Sequence, residues 1–454
     1  MSLRRVFIAN RGEIAVRINR ACRALGCEVV QAASAADLDS LSARLADTVV
    51  DVGPPPAAKS YLNIEGMVTA AKENGCDAVH PGYGFLAENG AFADAVEAAG
   101  LRFVGPSGDA IRQLGDKVEA RRIAAAAGVP LVPGSDGRIE DPQAAAEVAE
   151  AIGYPVMIKA AAGGGGRGIR VAEDAADFER LFPQASAEAR AAFGDGGLYL
   201  EKVITRARHV EVQILGDGRN FVHCFERECS LQRRRQKVWE EAPALGLPDA
   251  VREAMCQSAV DLAASVAYCG AGTVEYLYDA DAQCFYFIEV NTRIQVEHPV
   301  TEMVTGIDLV EAMLRIAGGE DLPWTQDAIV CRGHAIECRI NAEDPARNFL
   351  PGPGRVTGLE VPTGEGIRFD TLLYEGYEVP PFYDSLLGKL VVHGDDRRAC
   401  LARLGAALAG LRIEGIPTTV ALHQALAAEP AVLRADTHTR FLEPWLAQQF
   451  ATRA

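Results

Sequence analysis

Two glutamates near the middle of the chain, Glu275 and Glu289, are spaced so that they could bind one divalent cation. The segments on either side of residue 281 alternate polar and apolar residues, which predicts a β-hairpin. Counting from that turn pairs Glu275 close to Phe287, so Glu289 becomes its diagonal neighbour on the same face. Two carboxylates there repel each other, and Mg²⁺ would remove that repulsion, with Asn291 adding a neutral oxygen. In the alternative, one carboxyl group is protonated or pairs with an arginine.

The segment that follows, Asn291–Glu302 (NTRIQVEHPVTE), combines an arginine, a glutamine and a glutamate in one extended stretch. An arginine such as Arg293 beside a carboxylate such as Glu297 could hold a small planar anion and leave the acid free to act as a base. His298 lies at the predicted start of a helix, and we interpret it as a capping or packing residue rather than a catalytic one.

A glycine loop, Gly163–Gly168 (GGGGRG), lies between two predicted strands shortly after Lys159. Ordering consecutive glycines costs much backbone entropy, so their presence indicates that the loop has a function or a conformation that requires them. Their backbone N–H groups could close over phosphates while Lys159 adds positive charge. A flexible surface turn is the alternative, and the loop by itself does not decide between them. It matches neither the Walker nor the Rossmann glycine pattern.

Two further segments concentrate charged or polar side chains. In the strand HVEVQI, His209, Glu211 and Gln213 share one face. We interpret that face as the solvated side of a half-buried strand, with the lining of a cleft as the alternative. Gln232–Lys237 (QRRRQK) is the densest positive run in the chain. It could neutralise phosphate or carboxylate groups, or it could be a solvated surface run.

The elements that must position these groups fall into three units. Short apolar strands alternate with helices up to about residue 115, which predicts a parallel sheet. Beyond about residue 204 the strands are longer and alternating, which predicts a mainly antiparallel sheet with flanking helices. The fold class is therefore α/β followed by α+β. We predict domains at 1–115, 131–203 and 204–454, with a helical connection at 116–130.

Individual elements follow from periodicity and from residues that begin or end helices. A helix is expected to begin at Pro142 with Asp141 as its cap and to end at Gly153. The other predicted elements are strands Val6–Ala9, Glu28–Ala33, Val156–Ala160, Ile169–Ala172 and Leu198–Ile204, helices Gly12–Leu25 and 116–129, and hairpins His209–Ile214 with Phe221–Glu226 and Thr273–Tyr278 with Cys284–Asn291.

Composition excludes several classes of protein. The chain has 454 residues, of which 49% are hydrophobic, enough for two or three domains. Its net charge of −17 would repel nucleic acid and anionic membranes, so we expect neither as a partner. The 11 cysteines contain no CxxC pair, so no disulfide framework or zinc site is expected, and free thiols suit a reducing cytoplasm. We expect no signal peptide and no membrane span.

Nine segments, taken together in order and spacing, resemble the biotin carboxylase family over about residues 4 to 420. They are IANRGEIAVRI, HPGYGFLAEN, GDK at 115–117, KAAAGGGGRG, RHVEVQI, QRRRQKVWEEAP, NTRIQVEHPVTE, HAIECRINAEDP and PPFYDSLLGKL. The resemblance implies an ATP-grasp fold with a parallel-sheet N-terminal domain, a mobile glycine-loop lid and a mainly antiparallel C-terminal domain. It also implies ATP, Mg²⁺ or Mn²⁺, and bicarbonate as the means of carboxylating biotin on another protein.

The resemblance also implies a role for each matching residue. Glu297 would deprotonate bicarbonate beside Arg293, Lys237 would support carboxyphosphate, and Arg339 would stabilise the biotin enolate, with Tyr83 near the biotin end. Bicarbonate would be held by Arg293, Gln295 and Val296, and the metal by Glu275, Glu289 and Asn291. The implied nucleotide contacts are Lys117, Lys159, Gly163, Gly164, Gly165, Gly166, Arg167, Gly168, Glu201, Lys202, Ile204, His209, Gln232, Arg235, Leu277 and Ile288.

The chain departs from the family pattern at a few positions. Arg235 stands where QRRHQK is usual, near the nucleotide ribose in the family. Arginine is longer than histidine and always charged, so we hypothesise an altered ATP affinity with the chemistry retained. Ser40–Leu41–Ser42 lacks the usual Leu-His, and Thr419 replaces a usual asparagine. These departures indicate a divergent branch of the family.

Partners follow from what the chain lacks. None of its six methionines precedes a lysine, so the carrier motif is absent, and no length remains for a carboxyltransferase. We therefore expect a separate biotin carboxyl carrier protein, carboxyltransferase subunits of an acyl-CoA carboxylase type, and a homodimer as in the family. The final acceptor stays open among acyl-CoA esters, pyruvate and urea. Two alternatives also stay open: another ATP-grasp carboxylate ligase, and a catalytically weak scaffold or regulatory subunit.

Overall fold

The computed structural model describes residues 3–160, 170–193 and 196–450. The predicted glycine loop, Gly163–Gly168, lies outside the described residues, as does Ile169 at the start of a predicted strand. The nucleotide contacts expected of that loop therefore stay predictions.

The first unit is a five-stranded sheet in the order β3-β2-β1-β4-β5 with every neighbour parallel. This confirms the parallel sheet predicted from the βαβ rhythm. The order reverses between β1 and β4, so the loops after these two strands meet at the carboxyl edge, where α/β proteins bind ligands. The elements are β1 (Arg5–Ile8), α1 (Gly12–Ala24), β2 (Glu28–Ala33), α2 (Leu41–Leu45), β3 (Thr48–Asp51), α3 (Ile64–Glu73), β4 (Ala78–His80), α4 (Gly90–Ala98), β5 (Arg102–Phe103), α5 (Gly108–Gly115) and α6 (Lys117–Ala126).

The second unit is a small antiparallel sheet in the order β7-β6-β8. Its first helix begins as predicted, because the Asp141 side chain accepts from the backbone N–H of Ala144 and Pro142 is the first helical residue. It ends at Gly153, whose φ of 79° a glycine adopts readily. The elements are α7 (Pro142–Ile152), β6 (Val156–Ala160), β7 (Arg170–Ala172), α8 (Ala175–Phe193) and β8 (Leu198–Lys202).

The third unit is an eight-stranded sheet in the order β13-β12-β9-β10-β11-β14-β21-β19, antiparallel throughout. Three two-stranded ribbons, β15-β16, β17-β20 and β18-β22, lie beside it. Its strands are β9 (Ala207–Asp217), β10 (Phe221–Arg233), β11 (Gln236–Ala242), β12 (Cys269–Asp279), β13 (Cys284–Asn291), β14 (His334–Asn341), β15 (Glu343–Asp344), β16 (Leu350–Pro351), β17 (Gly354–Arg355), β18 (Gly358–Glu360), β19 (Ile367–Thr371), β20 (Glu378–Val379), β21 (Leu386–Gly394) and β22 (Arg412–Glu414).

Seven helices accompany the large sheet in the described part of this unit. They are α9 (Asp249–Ser265), α10 (His298–Thr305), α11 (Leu309–Ala317), α12 (Arg397–Gly410), α13 (Val420–Ala428), α14 (Pro430–Leu433) and α15 (Leu442–Gln449). Short 3-10 helices lie at Ala57–Lys59, Gln326–Ala328 and Pro345–Arg347. The predicted division at 1–115, 131–203 and 204–454 stays a proposal. Among the described residues no helix is both long and apolar enough to cross a bilayer.

Strand β9 shows the predicted alternation, but its polar face is not solvated. Val210, Val212 and Ile214 pack in one core with α9 residues such as Leu262. The opposite face, with Glu211 and its polar neighbours, is also buried. The preferred interpretation of a half-buried strand is therefore wrong. Burial of a strand's second face depends on segments distant in sequence, here the polar stretch before α10, which local alternation does not reveal.

Candidate active site

The centre of the site is the ammonium group of Lys237 on β11. Its Nζ donates to Glu211 at 2.5 Å, to Glu275 at 2.8 Å and to Glu297 at 2.6 Å. Burial alone would lower the pKa of Lys237, but the three carboxylates raise it well above its usual range. The predicted catalytic lysine thus lies at the junction of the three acids, and its positive run is not a solvated surface feature at this residue.

Burial by itself would raise the pKa of each of these acids, but nearby cations have the larger effect. Lys237 is the main cation for all three, and their pKa values are lowered. His209 is a second cation for Glu275, since its Nε2 lies 3.1 Å from Oε2 of that residue. The site therefore holds its carboxylates ionised at neutral pH.

Arg227 lies directly beneath this cluster and was missed by the sequence analysis. Its guanidinium is fully buried, and its Nε donates to Glu211 at 2.8 Å. The four remaining acceptors are Gln213, Thr273, Gln295 and Thr301, at 2.7 to 3.2 Å. Arg227 lies directly opposite Glu211 in the register of β10 and β9. An arginine opposite a glutamate in the predicted hairpin was the signal in the sequence that could have identified it. It links three strands to the segment before α10.

The predicted metal ligands lie on neighbouring strands, although in a different register. Glu275 lies directly opposite Glu289, and Tyr276 lies opposite Phe287, because Ile288 forms a β-bulge. The predicted partner of Glu275, Phe287, is therefore wrong by two residues, one from the position of the turn and one from the bulge. Counting residues from a turn cannot detect a bulge. Direct pairing places the two carboxylates closer together than the predicted diagonal arrangement would.

The oxygen donors at this position fit a hard divalent cation. Two carboxylates and the Asn291 side chain are the ligand types that Mg²⁺ prefers. Asn291 donates its amide N–H to Glu275 at 2.8 Å and accepts from Arg293 at 3.0 Å. Glu289 lies 3.5 Å from Lys117. Among the described residues, His209, Glu211 and Glu275 form a group of three whose ligand atoms lie within 4.8 Å of one another, and Glu289 is not part of that group.

The residues predicted to hold bicarbonate form a continuous wall beside Glu275. The Gln295 amide donates to Glu275 at 2.7 Å, and Arg293 reaches Asn291. Arg293 also donates to Glu88 at 3.0 Å, a contact that the sequence did not indicate. The carbonyl of Val296 accepts from the buried ammonium of Lys389 at 2.8 Å. The wall is therefore held from behind and presents one guanidinium edge and one amide.

Glu297 is held at both oxygens. Lys237 donates to Oε1, and Arg339 Nη2 donates to Oε2 at 2.8 Å. Arg339 also donates through Nε to Glu240 at 2.6 Å. Glu297 lies at the start of α10, where the helix dipole favours a negative group. His298 packs inward, its Nδ1 lying 2.7 Å from the carbonyl of Gln295, which agrees with the packing interpretation.

Tyr83 lies at the carboxyl edge of the parallel sheet, beside a cavity of about 310 Å³. Its hydroxyl donates to Glu13, which also pairs with Lys389 at 3.2 Å. Because Lys389 holds the Val296 carbonyl, this chain of contacts connects the cavity with the bicarbonate wall. Arg339 does not line the cavity, but its positive charge lies near enough to act on the Tyr83 hydroxyl.

The predicted nucleotide contacts fall into two groups. On β9 and β10, the Gln232 amide lies 3.1 Å from His209, and Leu277 pairs with His209 across the β12-β9 register. Burial would lower the pKa of His209, but Glu275 raises it to about 9. Ile288 is the bulge residue. The residues of this first group lie beside Lys237 and its three carboxylates.

The second group lies at the small sheet. Lys159 pairs with Glu201, which Arg121 also approaches at 3.4 Å. Lys202 donates to the carbonyls of Gly153 and Tyr154 at 2.7 and 3.1 Å. Ile204, just after β8, is half-buried. Lys117 lies apart from both groups at the start of α6, where its 83% exposed side chain approaches Glu289 of the large sheet.

Arg235 lies in the two-residue turn between β10 and β11. Arg233 pairs with Gln236, so Arg234 and Arg235 form the turn, with φ values of 48° and 66°. Both are left-handed conformations that non-glycine residues rarely adopt. The Arg235 side chain is exposed at the tip of this hairpin, two residues from Lys237.

Comparison with known proteins agrees with this geometry. Family models match at residues 2–111 (biotin carboxylase, N-terminal domain), 116–325 (carbamoyl-phosphate synthase L chain, ATP binding domain) and 337–444 (biotin carboxylase C-terminal domain). A biotin carboxylase from a Nostoc species is 51% identical over 444 residues, which cover 98% of this chain and 99% of that relative. This chain belongs to the biotin carboxylase family. The ATP-grasp fold expected from the sequence is thereby confirmed.

Two further members of the biotin carboxylase family have names that state a substrate or bound molecules. A pyruvate carboxylase subunit from Methanothermobacter thermautotrophicus is 46% identical, over 97% of this chain and 90% of that relative. The biotin carboxylase domain of Hydrogenobacter thermophilus 2-oxoglutarate carboxylase is 43% identical with a TM-score of 0.89, covering 98% of each chain. That structure is a dimer in complex with MgADP, ADP and bicarbonate.

Proposed function

We propose that this chain carboxylates biotin with ATP and bicarbonate, forming carboxyphosphate on the way. The observation that carries the proposal is the position of Glu297 between Lys237 and Arg339. In this proposal Glu297 is the ionised base, Lys237 is the cation for the developing carboxyphosphate and Arg339 is the cation for the developing enolate. Membership of the biotin carboxylase family supports the same activity.

In the first step the protein holds bicarbonate at Arg293, Gln295 and the Val296 backbone. Glu297 takes the bicarbonate proton, and the freed oxygen attacks the γ-phosphorus of ATP. A new C–O–P linkage forms, and the bond from the γ-phosphorus to the β–γ bridging oxygen breaks, so ADP leaves. Phosphoryl transfer depends mainly on alignment and charge, which Lys237 and the other lysines supply.

In the second step carboxyphosphate divides into CO2 and phosphate beside biotin. Phosphate takes the proton from biotin N1, and N1 attacks CO2. Arg339 offsets the charge that grows on the ureido oxygen. Tyr83 and its cavity lie at the edge from which biotin would enter. Exclusion of water protects the intermediate, a role that we assign to the predicted lid.

A divalent cation, Mg²⁺ or Mn²⁺, would be held by Glu275, Glu289 and Asn291, whose oxygen donors suit it. When bound, it supplies charge neutralisation and orientation for the triphosphate. For the remaining nucleotide contacts we propose the residues given above, with the glycine loop over the phosphates. We also propose Arg235 near the ribose.

The partners of this reaction are also proposals. A separate biotin carboxyl carrier protein would present biotin, and carboxyltransferase subunits would pass the carboxyl group to an acceptor. A homodimer is consistent with the dimeric Hydrogenobacter domain. Relatives named for pyruvate and 2-oxoglutarate carboxylases leave the acceptor open. A cytoplasmic location agrees with the free cysteines.

The decisive experiment measures ATP hydrolysis with Mg²⁺ and bicarbonate, with and without free biotin. The purified chain is compared with Glu297→Gln, which retains the shape of the side chain and removes the base. Biotin-stimulated turnover in the parent and none in the variant supports the half-reaction. If the parent hydrolyses no ATP even with a biotinylated carrier added, the scaffold alternative is correct instead.

A further inference from the structure

Glu337 on β14 is a buried acid that the proposed mechanism does not use. Its exposed fraction is 0%, and neither carboxyl oxygen has a hydrogen-bond partner among the described residues. A buried carboxylate without a partner is strongly unfavourable, so the group is held as the neutral acid. Burial raises the pKa of Glu337 well above its usual range, in agreement.

The residue opposite Glu337 is another acid with an unused oxygen. Glu240 on β11 pairs directly with Glu337 across the sheet. Its Oε1 accepts from Arg339 Nε at 2.6 Å, whereas its buried Oε2 has no partner among the described residues. Directly opposed residues carry their Cβ atoms about 5 Å apart, so a rotation of one side chain brings the two carboxyl groups into hydrogen-bond contact.

The charges around this pair explain why one proton resides there. Arg339 on β14, Lys389 on β21 and Glu297 at the start of α10 are the other charged groups that act on Glu337, and His298 lies near Lys389. Lys389 is engaged by Glu13 of α1 and the Val296 carbonyl, and Arg339 by Glu297 and Glu240. Both cations are therefore already engaged by other acceptors, and they offset the effect of burial on the pKa of Glu337 only in part. Burial raises the pKa of Glu240 to about 7, which favours a shared proton.

We propose that Glu337 is a positioning residue for biotin carboxylation. Its protonated carboxyl group donates a hydrogen bond to Oε2 of Glu240 and so holds Glu240 against Arg339. This hydrogen bond engages one unused oxygen of each acid, and Arg339 keeps a fixed orientation toward the reacting biotin. The inference rests on the proposed function, because it assigns Arg339 to the biotin step.

The test compares two variants of similar volume, Glu337→Gln and Glu337→Met. The glutamine amide can donate to Glu240, whereas methionine cannot. We expect Glu337→Gln to retain biotin-dependent turnover within about twofold and Glu337→Met to lose about tenfold in kcat, because Glu240 is left with an unpaired buried oxygen. Bicarbonate-dependent ATP hydrolysis without biotin serves as the internal control, and we expect it to be unchanged in both variants.

The pH dependence of biotin-dependent turnover is a second measurement, and a purely structural role of Glu337 would not affect it. In the parent, ionisation of Glu337 at alkaline pH sets two carboxylates side by side and lowers biotin-dependent turnover. The neutral amide of Glu337→Gln cannot ionise, so we expect its profile to lack that alkaline decline.

Equal turnover in the parent and Glu337→Met, or equal losses in both variants, would overturn the inference. In either case biotin-stimulated turnover in the parent leaves the proposed function standing. A parent without such turnover contradicts the proposed function itself.

Discussion

The ammonium nitrogen of Lys237 lies 2.6 Å from Oε1 of Glu297. The same nitrogen lies within hydrogen-bond distance of two further carboxylates, so one positive charge balances much of a three-acid cluster. Glu297 is therefore kept ionised chiefly by this neighbouring cation. The protonation state of the proposed base depends on Lys237 more than on any property of the glutamate.

Replacing Lys237 by methionine should raise the pKa of Glu297, because burial and the remaining acids then oppose its ionisation. A base must be ionised to act, so the activity should fall about 100-fold or more near neutral pH and recover in part as pH rises. The measurement is the pH profile of bicarbonate-dependent ATP hydrolysis. Lys72→Met, at an exposed position on α3, is the control. An unshifted acidic limb in Lys237→Met would contradict this account.

Arg227→Met should destabilise the fold by about 3–5 kcal/mol, because it leaves Glu211 buried beside four unpaired polar groups. Denaturant unfolding measures this loss as a lower midpoint. The matched control is Arg206→Met, which removes an exposed ion pair with Asp436 and should cost about 0–1 kcal/mol. Similar midpoints for the two variants would show that the buried network does little for stability.

The pH dependence of stability should report on Glu241, which is buried with Arg397 and His334. Burial alone would raise its pKa, but hydrogen bonds from those two residues lower it to about 2 from 4.5. A depressed carboxyl pKa stabilises the fold above the unfolded value, and this contribution is lost as pH falls from about 4.5 to about 2.

At neutral pH this contribution is about 3 kcal/mol from the shift in pKa. Comparing Glu241→Gln with the parent by denaturant unfolding should therefore show a large difference at neutral pH and a smaller one in acid. A difference that stays constant between neutral and acidic pH is the outcome that excludes this source of acid sensitivity.

Arg235→His should change the Michaelis constant for ATP while leaving kcat close to the parent value, because the side chain lies at an exposed turn beside the cluster. Arg234→His is a closely matched control, since it shares the turn, the left-handed backbone and the exposure. Steady-state kinetics with varied ATP makes the comparison. An unchanged constant for Arg235→His, or equal changes in both variants, would remove Arg235 from the nucleotide site.

Several elements were predictable because their determinants are local. Strands Glu28–Ala33 and Val156–Ala160 have the predicted bounds, and α7 begins and ends at its predicted capping residues. Hydrophobic alternation and helix capping act between residues a few positions apart, so the sequence contains all the information that they need. The resemblance to a family supplied the proposed roles of the site residues.

Other features depended on contacts between distant segments. The burial of Glu211, the bulge at Ile288 and the hidden position of Arg227 arise where strands and the segment before α10 meet. The neighbouring position of Glu337 and Glu240 is likewise a matter of strand pairing across about 100 residues of sequence. Local periodicity cannot predict which polar groups lose their water on folding.

The sequence by itself determined several strands and helices, the family and the types of chemical group available. Only the tertiary structure decided which charges share one site and which protonation states they adopt. The physical reason is that a pKa depends on burial and on neighbours within a few ångströms, and these are set by packing between distant segments. Glu297 is an ordinary acid in the sequence, and the fold holds it as an ionised carboxylate between Lys237 and Arg339.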